Sequence, residues 1–125
     1  MSAFVAVVAI GLVMVAGMAY DGGRIVAAQA MARDLASSAA RAGAQEIDLD
    51  VLRSTGEAVL DPEGAKSSAA AFLAESGHTG RMWVTGSSIT VAVTIRQPMR
   101  ILPVGDRTVT ATDTATALVE PRAEP

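Results

Sequence analysis

Residues 3–20 of this chain read AFVAVVAIGLVMVAGMAY. This stretch contains no charged residue and no proline. Its eighteen residues make roughly 27 Å of helix, which is close to the ~30 Å hydrocarbon core of a bilayer. Tyr20 ends the stretch, where an aromatic ring suits the headgroup level, and Asp21 and Arg24 follow on the water side. We therefore predict a transmembrane segment over residues 1–20, with Tyr20, Asp21 and Arg24 at the membrane boundary.

Two other interpretations of the apolar stretch remain open. A buried core helix needs a large domain around it, and 125 residues leave little chain for one. A cleaved export signal is compatible with the small-x-small sequence at residues 17–19, although the stretch is long for the apolar region of a signal.

The basic residues follow the stretch, and the positive-inside rule taken alone would put the C-terminal part in the cytoplasm.

The overall composition limits the rest of the chain to one small domain. Half of the residues are hydrophobic but only 3% are aromatic, so the apolar content is mostly alanine and valine and fills little volume. The chain has no cysteine, which excludes disulfides and thiolate metal sites. A net charge of -3 gives no electrostatic reason to expect nucleic acid as a partner.

A second helical pattern follows the apolar stretch and predicts a stalk over residues 21–47. Alanines recur at every fourth residue, and a polar row lies opposite them, which indicates an amphipathic helix. Such a row lets another helix approach closely. An alanine-rich helix also forms without a partner, because alanine is the best helix former. The paired glycines at 22–23 favour a kink at the membrane surface. The candidate helix-packing face is Ala28, Ala32, Ala36, Ala40 and Ala44.

The C-terminal part begins with a connector over residues 48–60 and a clear helix start. Val59 and Leu60 form an apolar patch that is able to pair as a short strand. Asp61 is a good N-cap residue and Pro62 suits the first turn, while Gly77 is placed to end the helix.

Alternating residues after this helix predict an antiparallel sheet. Residues 81–85 form a short strand before a Gly86-Ser87 turn, and residues 89–96 alternate between apolar and polar side chains up to Pro98. Residues 108–119 alternate again, with threonines on the wetter face, and Asp113 predicts a bulge or an edge position. The fold class is α+β: a long N-terminal helix, then a domain over residues 61–119 with one helix on a three-stranded sheet. Phe72 and Leu73 are expected to pack on Ile89, Val91 and Val93, and residues 120–125 to form a disordered tail.

The loop between the two long strands is unusually apolar. It holds Met99, Ile101, Leu102 and Val104. We expect it to fold over the open end of the small core, and contact with a partner or with the membrane is the alternative.

We find no pattern that indicates catalysis. His78 is the only histidine, and it lies in a predicted loop without a nearby carboxylate cluster. The serines lack a nucleophile-elbow pattern, and Gly22-Gly23 lacks the spacing of a phosphate loop. We expect no enzyme, no cofactor, no metal and no small-molecule substrate.

The first third of the chain resembles a known family. VMVAGMAYDGGRIVAAQAMARDLASSAARAGAQ, residues 13–45, has an apolar run ending in Asp-Gly-Gly-Arg, then a Gln/Ala-rich helix with an Ala-Ala-Arg-Ala-Gly-Ala tract. This order is similar to the N-terminal region of TadE/TadG-like pilus-assembly proteins of the Tad (Flp) system. The resemblance implies a single-pass protein of the bacterial cell membrane with a pilin-like domain outside the cytoplasm, at the cell surface or in a pilus. Its implied partners are the lipid bilayer and other pilin-like or assembly subunits.

One departure from the family refines this expectation. Pilins of this superfamily carry a glutamate near the start of the apolar helix, whereas residues 3–20 hold no acidic residue. A minor pilin-like or accessory subunit of the pilus or of a related secretion apparatus therefore fits better than a major pilin. The alternative function is a secreted binding module whose first ~19 residues are a cleaved export signal. A regulatory membrane subunit with a cytoplasmic domain is a third hypothesis.

Overall fold

The computed structural model describes residues 1–101, 103 and 105–118 and confirms the α+β class. Six elements follow one another along the chain, and the three strands form an antiparallel sheet in the order β1-β2-β3. The predicted disordered tail over residues 120–125 lies outside the described residues. The elements are α1 (Ser2–Gly43), α2 (Leu49–Thr55), α3 (Pro62–Glu75), β1 (Gly80–Thr85), β2 (Ser88–Gln97) and β3 (Arg107–Thr116).

Helix α1 joins the apolar stretch to the domain without interruption. Its 42 residues correspond to about 63 Å of helix. Gly22 and Gly23 lie inside it and do not end it, because a helix tolerates exposed glycine at a cost of about 1 kcal/mol each. Up to residue 20 the helix is exposed except at Gly17, whereas its buried residues from 28 to 43 belong to the domain.

The hydrophobic core lies between the sheet and a layer of two helices. Ile89, Val91 and Val93 of β2 are fully buried. Helix α1 packs mainly on β2 and β3, and α3 lies beside α1 and packs mainly on β1. The predicted packing of α3 on this core is confirmed: Leu73 is 1% exposed and belongs to the same cluster as these β2 residues, and the partly buried Phe72 packs against that cluster.

This arrangement differs from the predicted stalk over residues 21–47. The second half of α1 is not a separate rod, because it supplies Ala36, Ala39 and Ala40 to the main core. A domain with few large side chains needs this contribution, and without α1 the buried face of β2 and β3 would be left open to water.

The sheet follows the predicted strands closely. Gly86, with φ of 57°, and Ser87 form the two-residue turn between β1 and β2, where such turns favour positive φ. Strand β2 ends at Gln97, just before Pro98 as predicted. Strand β3 lies at the edge of the sheet, which confirms the predicted edge position of Asp113. The register of β2 and β3 runs unbroken past Asp113, so this pairing has no bulge.

Threonine hydroxyls line the outer face of the sheet, as predicted. Three cross-strand pairs of hydroxyls lie 2.8–2.9 Å apart: Ser88 with Thr116, Thr90 with Thr114, and Thr94 with Thr110. Such pairs contribute modestly to the alignment of two strands.

The connector contains a short helix that the sequence reasoning missed. Asp48 caps α2, because its Oδ1 accepts hydrogen bonds from the backbone N–H groups of Asp50 (3.0 Å) and Val51 (3.1 Å). The predicted short pairing is confirmed as a single bridge between Ile47 and Leu60. Helix α3 ends at Glu75, and Gly77, which was predicted to end it, follows the C-cap Ser76 with a φ of 74° that is costly for other residues.

Candidate membrane-boundary site

The apolar half of α1 is long and apolar enough to cross a membrane. Its most apolar 18-residue window has a mean hydropathy of 2.4, and only 6% of that window is buried in the protein. A core helix would be mostly buried, so the core-helix interpretation does not fit. The large side chains of this half, such as Phe4 at 72% and Leu12 at 66% exposed, have no cover from the described part of the chain.

Asp21 is the one buried charged side chain among the described residues, with 1% exposed. Its Oδ1 accepts a hydrogen bond from the backbone N–H of Arg100 (3.5 Å), and its Oδ2 accepts one from that of Ile101 (3.2 Å). Burying a carboxylate is costly unless it is hydrogen-bonded, and these two donors reduce that cost. The sequence reasoning placed Asp21 on the water side of the boundary. That position relative to the membrane stays a prediction, and the structure adds that the segment after β2, which we call the β2–β3 loop (residues 98–101), covers the side chain.

Gly17 extends the contact between α1 and the β2–β3 loop into the apolar half of the helix. It lies one turn before Asp21 on the same helix face. A Cβ at this position would lie 2.6 Å from Cγ2 of Ile101, so only glycine allows the present approach. Ile101 of the loop therefore contacts the apolar half of α1. The expected cover over the open end of the core stays a prediction. Leu102 and Val104 lie outside the described residues.

Tyr20 and Arg24 form a second contact at the boundary. Tyr20 is half exposed, and the guanidinium carbon of Arg24 lies 5.9 Å from the centre of its ring, within range of a cation–π interaction. The Nη1 atom of Arg24 is buried without a hydrogen-bond partner among the described residues. Arg24 lines a shallow groove together with Met31 of α1 and Gln97 of β2. The three predicted boundary residues are thus in different environments although they are close together on α1. Tyr20 is half exposed, Asp21 is buried and Arg24 is partly buried.

The predicted helix-packing face contacts the sheet of the same chain. Four of its alanines are at most 5% exposed; Ala44 is partly buried and lines a groove with Leu118. Ala28 and Ala32 form a small cluster with Val109 and Ala111 of β3, and Ala36 and Ala40 belong to the main core. The expected contact with helices of other subunits through this row is corrected accordingly. Small side chains let any neighbouring element approach closely, and at Ala28 and Ala32 that element is strand β3.

Close helix–helix contact does occur, but within the chain and through a neighbouring row. Gly43 faces α3, where a Cβ would lie 2.8 Å from the carbonyl oxygen of Ala65 and 2.6 Å from Cδ1 of Ile89. Ala39 of α1 and Ala69 of α3, both fully buried, belong to the same core.

The described residues contain no group of three or more histidine, aspartate or glutamate side chains able to hold a metal ion. His78 lies in the α3–β1 loop, with its Nδ1 2.7 Å from the carbonyl oxygen of Ser76. The expectation of a non-enzymatic protein remains a prediction.

Comparisons of the chain with protein-family models, with curated proteins and with solved structures gave no match. The resemblance to TadE/TadG-like proteins therefore depends on the sequence features of residues 13–45 alone.

Proposed function

We propose that this protein is a single-pass structural or assembly component of the bacterial cell membrane. In this proposal it is a minor pilin-like or accessory subunit of a Tad (Flp) type pilus or a related secretion apparatus, with its domain outside the cytoplasm. The observation that carries the proposal is the division of α1 into an uncovered apolar half and a half that forms the core of the domain.

The uncovered half of α1 needs an apolar environment. Ile10 and Val13 are 59% and 67% exposed, and the other large side chains of this half are comparably open. Soluble monomers rarely expose a continuous apolar surface of more than a few hundred Å². In lipid, each leucine, isoleucine, valine or phenylalanine favours insertion by roughly 0.3–0.6 kcal/mol at the bilayer centre. Lipid, together with helices of neighbouring subunits, supplies the missing cover.

The continuous helix suits a subunit that must hold its domain at a fixed height above the membrane. Because α1 belongs to both the span and the core, no flexible linker separates them. Contacts with other subunits are assigned to the exposed positions of α1, since the alanine row is occupied by the sheet. Val26 and Met31, at 69% and 52% exposed, extend the apolar surface beyond the span.

Membrane anchoring is tested on the native protein in its own cells. We expect the protein to stay in the membrane after alkaline extraction, to have an intact N-terminal segment by mass spectrometry, and to lose its domain to protease added outside spheroplasts. A mature N-terminus at Tyr20 would instead support the secreted binding module. A domain protected from the protease would support the cytoplasmic regulatory subunit.

The assembly role is tested by crosslinking in cells through introduced cysteines, since the chain has none of its own. Leu12→Cys and Met31→Cys place the thiol on exposed positions of α1, and Ala32→Cys is the matched buried control. We expect the first two to capture another copy of this chain or an identified pilus-assembly subunit, and the control to capture neither. If none of the variants captures such a partner, the assembly role fails while the anchor can still stand.

A further inference from the structure

The contact between Ile101 and Gly17 fixes the depth of the β2–β3 loop relative to α1. Gly17 precedes Asp21 by four residues, or about 6 Å along the helix, and lies inside the apolar stretch. Ile101 contacts α1 at this level and is 51% exposed. If the apolar half of α1 lies in lipid, the exposed part of Ile101 lies beside the same leaflet.

The composition of the loop fits the boundary between headgroups and acyl chains. Met99 and Ile101 are apolar, and the basic Arg100 lies between them. Arg100 is exposed. Apolar side chains with a neighbouring basic residue are typical of segments that lie in the membrane interface.

Asp21 removes the main obstacle to placing an irregular loop at this depth. A backbone N–H in a lipid environment is costly unless it has a hydrogen-bond acceptor. The carboxylate of Asp21 accepts from two consecutive N–H groups of the loop, those of Arg100 and Ile101. These two hydrogen bonds explain why an acidic residue, Asp21, is buried at the end of the proposed membrane span.

We propose that the β2–β3 loop is a second membrane contact, which inserts beside α1 into the leaflet next to the domain and holds the domain against the bilayer surface. The inference depends on the proposed membrane anchor. The occupant of this surface is lipid, because the loop is continuous with the uncovered surface of α1 through Gly17. Asp21 acts as the positioning residue that keeps the loop on the helix.

The test measures the depth of fluorophores in the full-length protein in nanodiscs of phosphatidylcholine and phosphatidylglycerol. A fluorophore is attached to single cysteines at Ile101, at Leu12 in the middle of the span, and at Thr114 on the outer face of β3. Nitroxide lipids carry the quencher either near the headgroup or near the end of the acyl chain. We expect the shallow quencher to act on Ile101 about twofold or more above Thr114, and the deep quencher to act most on Leu12.

The outcomes separate the loop from the anchor. Quenching at Leu12 without quenching at Ile101 would overturn the loop contact and leave the anchor intact. Absence of quenching at both positions would overturn the anchor as well.

A second pair of variants tests the positioning role of Asp21. Asp21→Asn replaces one of the two acceptor oxygens by an N–H₂ donor, which would face a backbone N–H. We expect this variant to lose the shallow quenching at Ile101 while the circular dichroism of the domain is retained. Asp106→Asn is the control: it removes only an exposed ion pair with Arg96 of β2, and it should keep the quenching. Equal quenching in both variants would contradict the role of Asp21.

Discussion

The substitution Gly43→Ala tests whether α1 is part of the domain core. The added methyl group would lie 2.8 Å from the carbonyl oxygen of Ala65 and 2.6 Å from Cδ1 of Ile89, which is fully buried. Overpacking of this kind costs about 1–3 kcal/mol. The higher helix propensity of alanine offsets at most about 1 kcal/mol, and less here because Gly43 is the last residue of α1. We expect a net loss of about 1–2 kcal/mol in the free energy of unfolding.

Thermal unfolding of the full chain in detergent measures this loss. The single tryptophan, Trp83 on β1, reports on the sheet by fluorescence, and circular dichroism reports on the helices. A domain of this size changes its melting temperature by about 4–8 °C per kcal/mol. The matched control is Gly23→Ala, where no atom lies within 4 Å of the added Cβ, and its melting temperature should stay equal or rise. A Gly43→Ala protein as stable as the Gly23→Ala protein would refute the close packing of α1 on α3 and β2.

Three further substitutions test the core and the connector in the same assay. Ala32→Leu should destabilise the domain by about 1–3 kcal/mol, because Ala32 is fully buried. Met31→Leu, on the exposed side of α1, is the control and should change the stability little. Equal effects of the two substitutions would contradict the helix–sheet contact. Leu73→Ala should cost about 2–5 kcal/mol, and a loss below that range would mean that α3 packs loosely. Asp48→Ala should cost about 1 kcal/mol through loss of the α2 cap, and unchanged hydrogen exchange at Asp50 and Val51 would contradict the capping assignment.

Local patterns were sufficient to predict most of the elements. The alternation of β2 and β3, the Gly86-Ser87 turn and the stop at Gly77 all depend on residues close together in sequence. Helix α2 was missed because it has only seven residues and no buried side chain, so no apolar periodicity indicated it.

The partners of each surface depended on long-range contacts and were harder to predict. An alanine row shows that something approaches closely, but it does not distinguish a helix of another subunit from a strand of the same chain. The burial of Asp21 depends on a loop about 80 positions further along the chain, and only the apolar composition of that loop hinted at a contact. The position of Tyr20, Asp21 and Arg24 at a membrane boundary stays a prediction, while the burial of Asp21 beneath the loop was not predicted.

We propose that one continuous helix, α1, lies in lipid over its first half and in a protein core over its second half. The most direct measurement is electron paramagnetic resonance on nitroxides placed singly along residues 5–40 of the purified protein in nanodiscs, with oxygen and a water-soluble nickel complex as relaxing agents. We expect high oxygen and low nickel accessibility on all faces of residues 5–16. Over residues 28–40 we expect the accessibility to both agents to vary with the helical period and to be lowest at Ala28, Ala32, Ala36 and Ala40. High nickel accessibility over residues 5–16, or protection without that period over residues 28–40, would contradict this proposal.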